Sequence, residues 1–184
     1  MCWQPHPSAL HWPACRWAEY VALEIMRLAP ERVERLALLD TSARPDLPEQ
    51  TENRFRLVAI AQKKGIEVPA REMYPKLVAP SRAGDGGLQS EFLAMAAATG
   101  ADGFARQQAA IAGRIDSRPS LSAIACPTLV LVGAQDQLTP PPLAEEMAAA
   151  IAASRLAVIP GSGHLSPLEA PDAGARFLME SAAR

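Results

Sequence analysis

Two polar residues in the last third of the sequence, Asp136 and His164, could together carry out proton-transfer chemistry. Each follows a short apolar run of the kind that forms a buried parallel strand. Neighbouring parallel strands lie about 4.8 Å apart, so side chains a few positions beyond both strand ends can meet. A carboxylate beside an imidazole fixes the tautomer of the ring and stabilises its protonated form. The pattern therefore predicts an Asp–His pair that accepts and returns a proton.

Each member of this pair also has a purely structural interpretation. Asp136 could cap the helix that follows it or form a turn, and His164 could be an ordinary loop histidine. Their placement at equivalent strand ends favours the functional interpretation of both. Glu169 lies five positions after His164 and is predicted mainly to brace the loop that holds it, with a role in orienting the histidine as the alternative.

Alternating apolar runs and amphipathic segments predict the elements that position these residues. Strands are predicted over the second half of Val33–Asp40, over Thr128–Gly133 and over Arg155–Pro160, and helices from Tyr20 to before Pro30, over Pro140–Ala153 and over Ala173–Ala183. Strands that alternate with helices imply right-handed crossovers and a parallel sheet. The fold class is therefore α/β, with about three parallel strands flanked by helices.

The middle of the chain, residues 43–117, is predicted to be helical, with prolines and glycines between its helices. Helical patterns occur around Phe55–Ile60, Phe92–Met95 and Gln107–Ile115. The charges of Arg114, Asp116 and Arg118 precede the next strand. They are interpreted as a locally salt-bridged hinge in preference to a substrate contact.

Composition narrows the functional classes. A net charge of −2 gives no reason to expect nucleic acid or an anionic membrane as a partner, and no apolar run has the roughly 20 residues of a membrane span. Without a signal-peptide pattern or paired cysteine spacing, we expect a cytoplasmic protein. Neither the histidines nor the cysteines have metal-ligand spacing, so we expect no metal and no other cofactor.

The last third of the chain closely resembles the C-terminal part of α/β-hydrolases, most of all the small bacterial esterase and lactonase branch. The matching features are Ile124–Thr128, Gly133, Asp136, Pro140, Gly163–His164 and Glu169–Pro171. The stretch Tyr20–Val33 resembles the helix after the family's nucleophile and the approach to the next strand. The resemblance implies a partial α/β-hydrolase core over residues 20–42 and 118–184, a helical cap over residues 43–117, and an atypical segment over residues 1–19.

In this family the aspartate orients the histidine, and the histidine is the general base for a serine in a G-x-S-x-G turn. Extending the resemblance from Tyr20 without gaps places the serine position on Arg16, and no glycine occurs before Gly65. An arginine cannot be deprotonated to attack a carbonyl carbon. Cys15 is the one substitute nearby, and we favour its interpretation as an inert small residue.

The resemblance thus implies a hydrolase of small-molecule carboxylic esters or lactones that is catalytically impaired as written. The alternative is a non-catalytic binding module or the remnant of a hydrolase gene. Synonymous codons for Leu10–Glu19 exist in which another reading frame encodes Ala-Leu-Ala-Gly-Leu-Ser-Met-Gly-Gly, a typical strand and turn of this family. A frame shift is therefore our hypothesis for the first 19 residues, with a diverged N-terminus as the alternative.

The segment before Tyr20 also bears on how the chain associates. In the family's fold, a strand leading into the nucleophile turn pairs with the strand at Leu36–Leu39. Here Ser8–Pro13 stands in its place, with little strand pattern and a proline. We therefore expect Leu36, Leu38 and Leu39 to form an exposed sheet edge, and self-association through that edge is predicted.

Overall fold

The computed structural model describes residues 15–182 of the chain, and the side chains of residues 18–181. Predictions for earlier residues, including the segment Ser8–Pro13, lie outside the described residues. The helices and strands are α1 (Cys15–Leu28), β1 (Leu36–Leu39), α2 (Pro48–Lys64), α3 (Glu67–Leu77), α4 (Gly86–Ala112), β2 (Thr128–Gly133), α5 (Pro141–Ala150), β3 (Ser154–Ile159), α6 (Ser166–Glu169) and α7 (Pro171–Ala182). Within this range, no helix combines the length and apolar character needed to cross a bilayer.

The described strands form a parallel sheet in the order β1–β2–β3. Leu38 of β1 lies opposite Val130 of β2, and Val130 lies opposite Leu156 of β3. The central strand β2 is buried along its whole length, as expected of a parallel sheet with helices on both faces. The strands agree with the predicted apolar runs to within one residue, and the prediction of three parallel strands flanked by helices is confirmed.

Alternate side chains of β2 point into two separate helix layers, as the two-residue period of a strand requires. On one face, Val130 belongs to a core cluster with Leu23 of α1 and Met147 of α5. On the other face, Leu131 belongs to a cluster with Phe177 of α7. The helix bounds differ from the predicted ones by more than one residue in three places: α1 begins at Cys15, α5 ends at Ala150, and α7 begins at Pro171.

The segment between β1 and β2 carries α2, α3 and α4, so its predicted helical character is correct. The two helices expected around Phe92–Met95 and Gln107–Ile115 correspond to the two halves of α4, which is kinked at Gly100, whereas α3 was not predicted. Gly100 interrupts α4 with φ 68° and ψ 169°, a left-handed conformation that glycine adopts without steric cost. The helix ends at Ala112, before Gly113. The boundaries of a cap domain at residues 42 and 118 remain predictions.

A buried ionic cluster joins the beginning of this helical segment to its end. The side chain of Asp46 is 1% exposed and pairs with Arg54 of α2 and with Arg114 just after α4. The predicted local hinge is correct for Asp116 and Arg118, which pair with each other at 2.6 Å. It is wrong for Arg114, whose guanidinium lies 2.8 Å from Asp46 because the chain folds back at that point.

The apolar edge expected at β1 is largely covered. Among the described residues, β1 pairs with β2, and it forms one end of the sheet. Leu36 and Leu38 are nevertheless 7% and 0% exposed, since Leu23 and Met26 of α1 pack against them. The expectation of exposed leucine side chains was therefore wrong. Association through the backbone edge of β1 stays a prediction.

Candidate active site

Asp136 and His164 meet beyond the carboxyl ends of β2 and β3. The Oδ2 atom of Asp136 lies 2.8 Å from Nδ1 of His164, and the two residues are 4% and 6% exposed. The contact is within hydrogen-bond distance, as their placement after neighbouring strands predicts. Their roles in catalysis remain a proposal.

The loops that carry these two residues are bonded to each other. In the turn after β2, the amide of Asp136 donates to the carbonyl of Gly133 at 3.1 Å. The amide of Gln135, in the same turn, donates to the carbonyl of Ser162 in the loop after β3 at 2.8 Å. Gly161 has φ +70°, and this left-handed conformation turns the chain back over the sheet edge after β3. Both loops therefore hold the side chains of Asp136 and His164 at fixed positions.

The two carboxylate oxygens of Asp136 have different partners. Oδ1 accepts hydrogen bonds from the amides of Leu138 and Thr139 at 2.8 and 2.9 Å, so the turn interpretation is also correct. Oδ2 faces His164. Burial by itself would raise the pKa of Asp136, but the hydrogen bond and charge of His164, together with the donors of Thr139, lower it to about 2. Asp136 is therefore ionised, and Nδ1 of His164 must be the donor between them.

Thr139 is a site residue that the sequence reasoning missed. Its hydroxyl donates to Oδ2 of Asp136 at 2.7 Å, and its oxygen lies 3.2 Å from Nδ1 of His164. The hydroxyl therefore fixes the same carboxylate oxygen that faces the imidazole. The sequence contains a signal that could have identified it. Thr139 lies three residues after Asp136 and directly before Pro140, a spacing typical of a turn held by side-chain hydrogen bonds.

Three backbones pack against each other at this site because two glycines lack a Cβ atom. A Cβ atom on Gly133 would lie 2.1 Å from the carbonyl oxygen of Gly163. A Cβ atom on Gly163 would lie 2.5 Å from the carbonyl carbon of Val78 and from the amide nitrogen of Ala79. The end of β2, the loop before His164 and the segment after α3 are thus in direct contact.

Glu169 braces the loop that holds His164. Its Oε1 atom accepts a hydrogen bond from the amide of Gly163 at 2.9 Å, next to the histidine. Its Oε2 atom accepts one from the amide of Ala79, at the end of the segment after α3, at 2.7 Å. The interpretation of Glu169 as a brace is therefore supported by both of its carboxylate oxygens.

Asp40, which the sequence reasoning treated only as the end of a strand, is a second brace. Its Oδ1 atom accepts from the amide of Gly133 at 2.9 Å, and its Oδ2 atom accepts from the hydroxyl and the amide of Ser166. Burial raises the pKa of Asp40 to about 8, although the donors of Ser166 and Gly133 oppose this and Asp136 adds to it. Asp40 has φ 47°, a conformation rare outside glycine, asparagine and aspartate.

A further buried carboxyl group, that of Glu19, lies in α1 near Asp40. Burial raises its pKa to about 8, the hydrogen bond of its own backbone opposes this, and the charge of Asp40 adds to it. Its buried Oε2 atom has no hydrogen-bond partner among the described residues. Among the described residues, no group of three or more His, Cys, Asp or Glu side chains is arranged to hold a metal ion.

The nucleophile position falls at the beginning of α1. The backbones of Cys15 and Arg16 form the first residues of that helix. Their side chains lie outside the described part of the structure, so the prediction that neither residue is a nucleophile remains open.

Comparison with known proteins identifies the family. The model of the alpha/beta hydrolase family matches residues 10–177, so the chain belongs to this family. A curated relative is BpoC of Mycobacterium tuberculosis, named as a candidate non-heme bromoperoxidase, which is 30% identical over 161 residues. That match covers 84% of this chain and 60% of the relative, so the chain spans less than two thirds of the curated relatives it matches.

Solved structures give the same class. A thermophilic esterase from Thermogutta terrifontis is 38% identical with a TM-score of 0.82, over 88% of this chain and 60% of the esterase. The enol-lactonase from Burkholderia xenovorans LB400 is 25% identical with a TM-score of 0.81, over 92% of this chain and 64% of the lactonase. The resemblance to α/β-hydrolases and the partial α/β-hydrolase fold are confirmed.

Proposed function

We propose that the chain carries the Asp–His part of a hydrolase site for carboxylic esters or lactones. His164 is the general base and general acid, and Asp136 is the carboxylate that orients it. The observation that carries the proposal is the buried contact of 2.8 Å between an ionised Asp136 and Nδ1 of His164. We further propose that turnover is strongly impaired in the chain as given, because the serine position of the family motif is Arg16.

The role of each group follows from its atoms. With Nδ1 donating to Asp136, the lone pair of the neutral ring is on Nε2, which can accept the proton of an attacking hydroxyl group. The attacking oxygen then bonds to the acyl carbon, and the ring returns the proton to the leaving alkoxide oxygen. Asp136 stabilises the imidazolium that exists between these two transfers. Arg16 cannot supply the attacking oxygen, so the chain lacks a nucleophile at the motif position.

The named activities of two relatives support the substrate class. The Thermogutta protein is named as an esterase and the Burkholderia protein as an enol-lactonase. Esters and lactones present the same reactive group, an acyl carbon bonded to an alkoxide-type leaving oxygen. One general base can therefore serve both kinds of substrate.

Hydrolysis of 4-nitrophenyl acetate and butyrate by the purified chain tests this proposal. We expect a kcat below about 1 s⁻¹, a tenth of the median of about 10 s⁻¹ for enzymes. Any turnover above background should be lost in His164→Ala and retained in Asp172→Ala, which changes an exposed carboxylate of α7. A kcat within tenfold of that median would contradict the impairment. Turnover that survives both His164→Ala and Cys15→Ala would contradict the role of His164.

A non-catalytic binding module is the second candidate, and the arginine at the nucleophile position favours it. Such a module would use the cleft between the helical segment and the sheet. Calorimetric titration with an amide analogue of the ester distinguishes the two. Binding without turnover of the matching ester would favour the module, whereas the absence of both would favour a remnant without a role.

A further inference from the structure

We propose that Glu169 is a positioning residue that couples His164 to the helical segment between β1 and β2. In this arrangement a displacement of that segment is transmitted to the imidazole ring. The proposal rests on the proposed function only for the role of His164, and its test does not require turnover. We call residues 161–165 the histidine loop. We call Leu77–Ala79, where the chain leaves α3, the cap exit.

The carboxylate of Glu169 lies between these two segments and bonds to both. Oε2 accepts from the cap exit at the amide of Ala79, and Oε1 accepts from the histidine loop at the amide of Gly163. Glu169 is 9% exposed, so water cannot readily replace either bond. A carboxylate is suited to this position because it has two acceptor oxygens for two amide donors.

Direct contacts between the cap exit and the histidine loop make the coupling stiff. The amide of Leu165 donates to the carbonyl of Leu77 at 3.0 Å. The Cα atom of Gly163 is so close to Val78 that a Cβ atom would come within 2.5 Å of its carbonyl carbon. Leu165 also belongs to the apolar cluster of Leu77 and Tyr74. His164 therefore lies between Gly163, which packs against the cap exit, and Leu165, which donates a hydrogen bond to it.

Asp40, the other brace of this region, is bonded to the end of the sheet and not to the helical segment. Asp40 accepts from Gly133 at the end of β2 and from Ser166, directly after the histidine loop. The histidine loop is thus held from the sheet side by Asp40 and from the cap side by Glu169. Of these two carboxylates, only that of Glu169 is bonded to the helical segment, so only Glu169 can transmit a movement of that segment to the histidine loop.

A hydroxyl group holds the turn after the cap exit, and its removal leaves the hydrogen bonds of the histidine loop in place. Tyr74 of α3 lies 3.2 Å from the carbonyl oxygens of Arg82 and Asp85, to which its hydroxyl can donate. Tyr74→Phe would loosen the turn after the cap exit, since both acceptors lose this donor. The substitution gives a small perturbation on the cap side of Glu169.

The test uses the full chain labelled with ¹⁵N at histidine and followed by NMR across pH. Glu169→Gln keeps the size of the side chain but replaces one acceptor oxygen with an amide NH2 group, which would face an N–H donor. We expect the His164 titration midpoint to fall by about 0.5 pH units, because the Asp136–His164 contact loosens. We also expect the amides of Ala79 and Gly163 to exchange at least about tenfold faster while Leu131 in β2 is unchanged.

Glu180→Gln is the matched control, since Glu180 pairs with Arg155 on the surface of α7. It should leave the His164 signals and both amides as in the parent chain. A purely structural role of Glu169 would accelerate exchange throughout the sheet, including Leu131, without moving the His164 midpoint. That outcome would overturn the proposal.

Tyr74→Phe keeps the proposal testable if Glu169→Gln fails to fold. We expect Tyr74→Phe to shift the His164 ring signals in the parent chain and, in a folded double variant, to shift them by less than half as much. If Tyr74→Phe does not shift the His164 ring signals in the parent chain, this result would contradict the coupling. Equal shifts in both backgrounds would assign the coupling to the backbone contacts and not to Glu169.

Discussion

The polar groups beyond β2 and β3 differ sharply from those of a second region, formed by Glu19 of α1 and Thr41 just after β1. Asp136 and Glu169 use both carboxylate oxygens in hydrogen bonds that are buried or nearly so. By contrast, Oε2 of Glu19 and Oγ1 of Thr41 are buried without partners, and among the described residues they are the only such side-chain atoms. The first region is built around its charges, whereas the second buries polar groups that its surroundings do not match. Complete hydrogen bonding therefore distinguishes the carboxylates beyond β2 and β3 from the buried polar atoms of Glu19 and Thr41.

The largest expected effect is the loss of the Asp136 carboxylate. Asp136→Ala leaves His164, Thr139 and two backbone amides without their buried acceptor, so we expect a loss of about 3–5 kcal/mol in the free energy of unfolding. Urea denaturation measures it. Asp172→Ala, on the surface of α7, is the control and should cost under about 1 kcal/mol. A cost below about 1 kcal/mol for Asp136→Ala would show that the region is not built around this carboxylate.

The close packing of three backbones gives a second prediction. Gly163→Ala places a methyl group against the backbone of Val78 and Ala79, and neither neighbour is a flexible side chain. We expect a loss of about 3 kcal/mol. Gly174→Ala is the matched control, since nothing lies within 4 Å of its added Cβ atom in α7. The control should raise stability by about 0.5–1 kcal/mol, and similar values for the two variants would contradict the packing described here.

The mismatched region predicts a dependence of stability on pH. Folding raises the pKa of Glu19 from its ordinary value of 4.5 to about 8, so folding favours the protonated group. Its stabilising contribution is complete below pH 4.5 and is lost as the pH rises toward 8, by up to about 1.4 kcal/mol per pH unit. Asp40 adds a loss of the same sign, since its folded pKa is also raised.

Glu19→Gln tests this prediction, because glutamine has nearly the same shape and does not titrate. We expect a flatter pH profile of thermal unfolding and a gain of about 2 kcal/mol at pH 7.5. Glu24→Gln is the control, since Glu24 is exposed on the same helix and pairs with Arg27. An unchanged slope between pH 5 and 8 in Glu19→Gln would indicate that Glu19 is hydrated in solution.

The smallest expected effect concerns the backbone edge of β1. The amide of Leu36 donates to Pro127, directly before β2, and the amide of Asp40 donates to β2 itself. The alternation of a parallel ladder therefore places the amide of Ala37 on the outer side. We expect concentration-dependent self-association through this edge, and Ala37→Pro should weaken it by removing an outward donor. Light scattering after size-exclusion chromatography measures it. A monomer at every concentration, with a cooperative melt well above about 60 °C, would contradict the prediction.

Features that depend on residues close together in the sequence were predicted, whereas features that depend on residues far apart in the sequence were not. β2 and the placement of Asp136 and His164 after neighbouring strands depend on local apolar runs and glycines, which the sequence displays. The role of Asp40 depends on Gly133 and Ser166, which are 93 and 126 residues away along the chain. No local pattern indicates such partners. The helices predicted around Phe92–Met95 and Gln107–Ile115 lie on either side of the kink at Gly100, and each was indicated by its own local pattern.

If Asp136 is an ionised partner that orients His164, the neutral imidazole ring must carry its proton on Nδ1. The ¹⁵N shifts of His164 near pH 7, assigned by the signals missing in His164→Gln, show which ring nitrogen carries the proton. We predict a proton on Nδ1 in the neutral ring, and a shift of the population toward Nε2 in Asp136→Asn. A parent chain with the proton on Nε2, or a tautomer that Asp136→Asn does not change, would contradict the account.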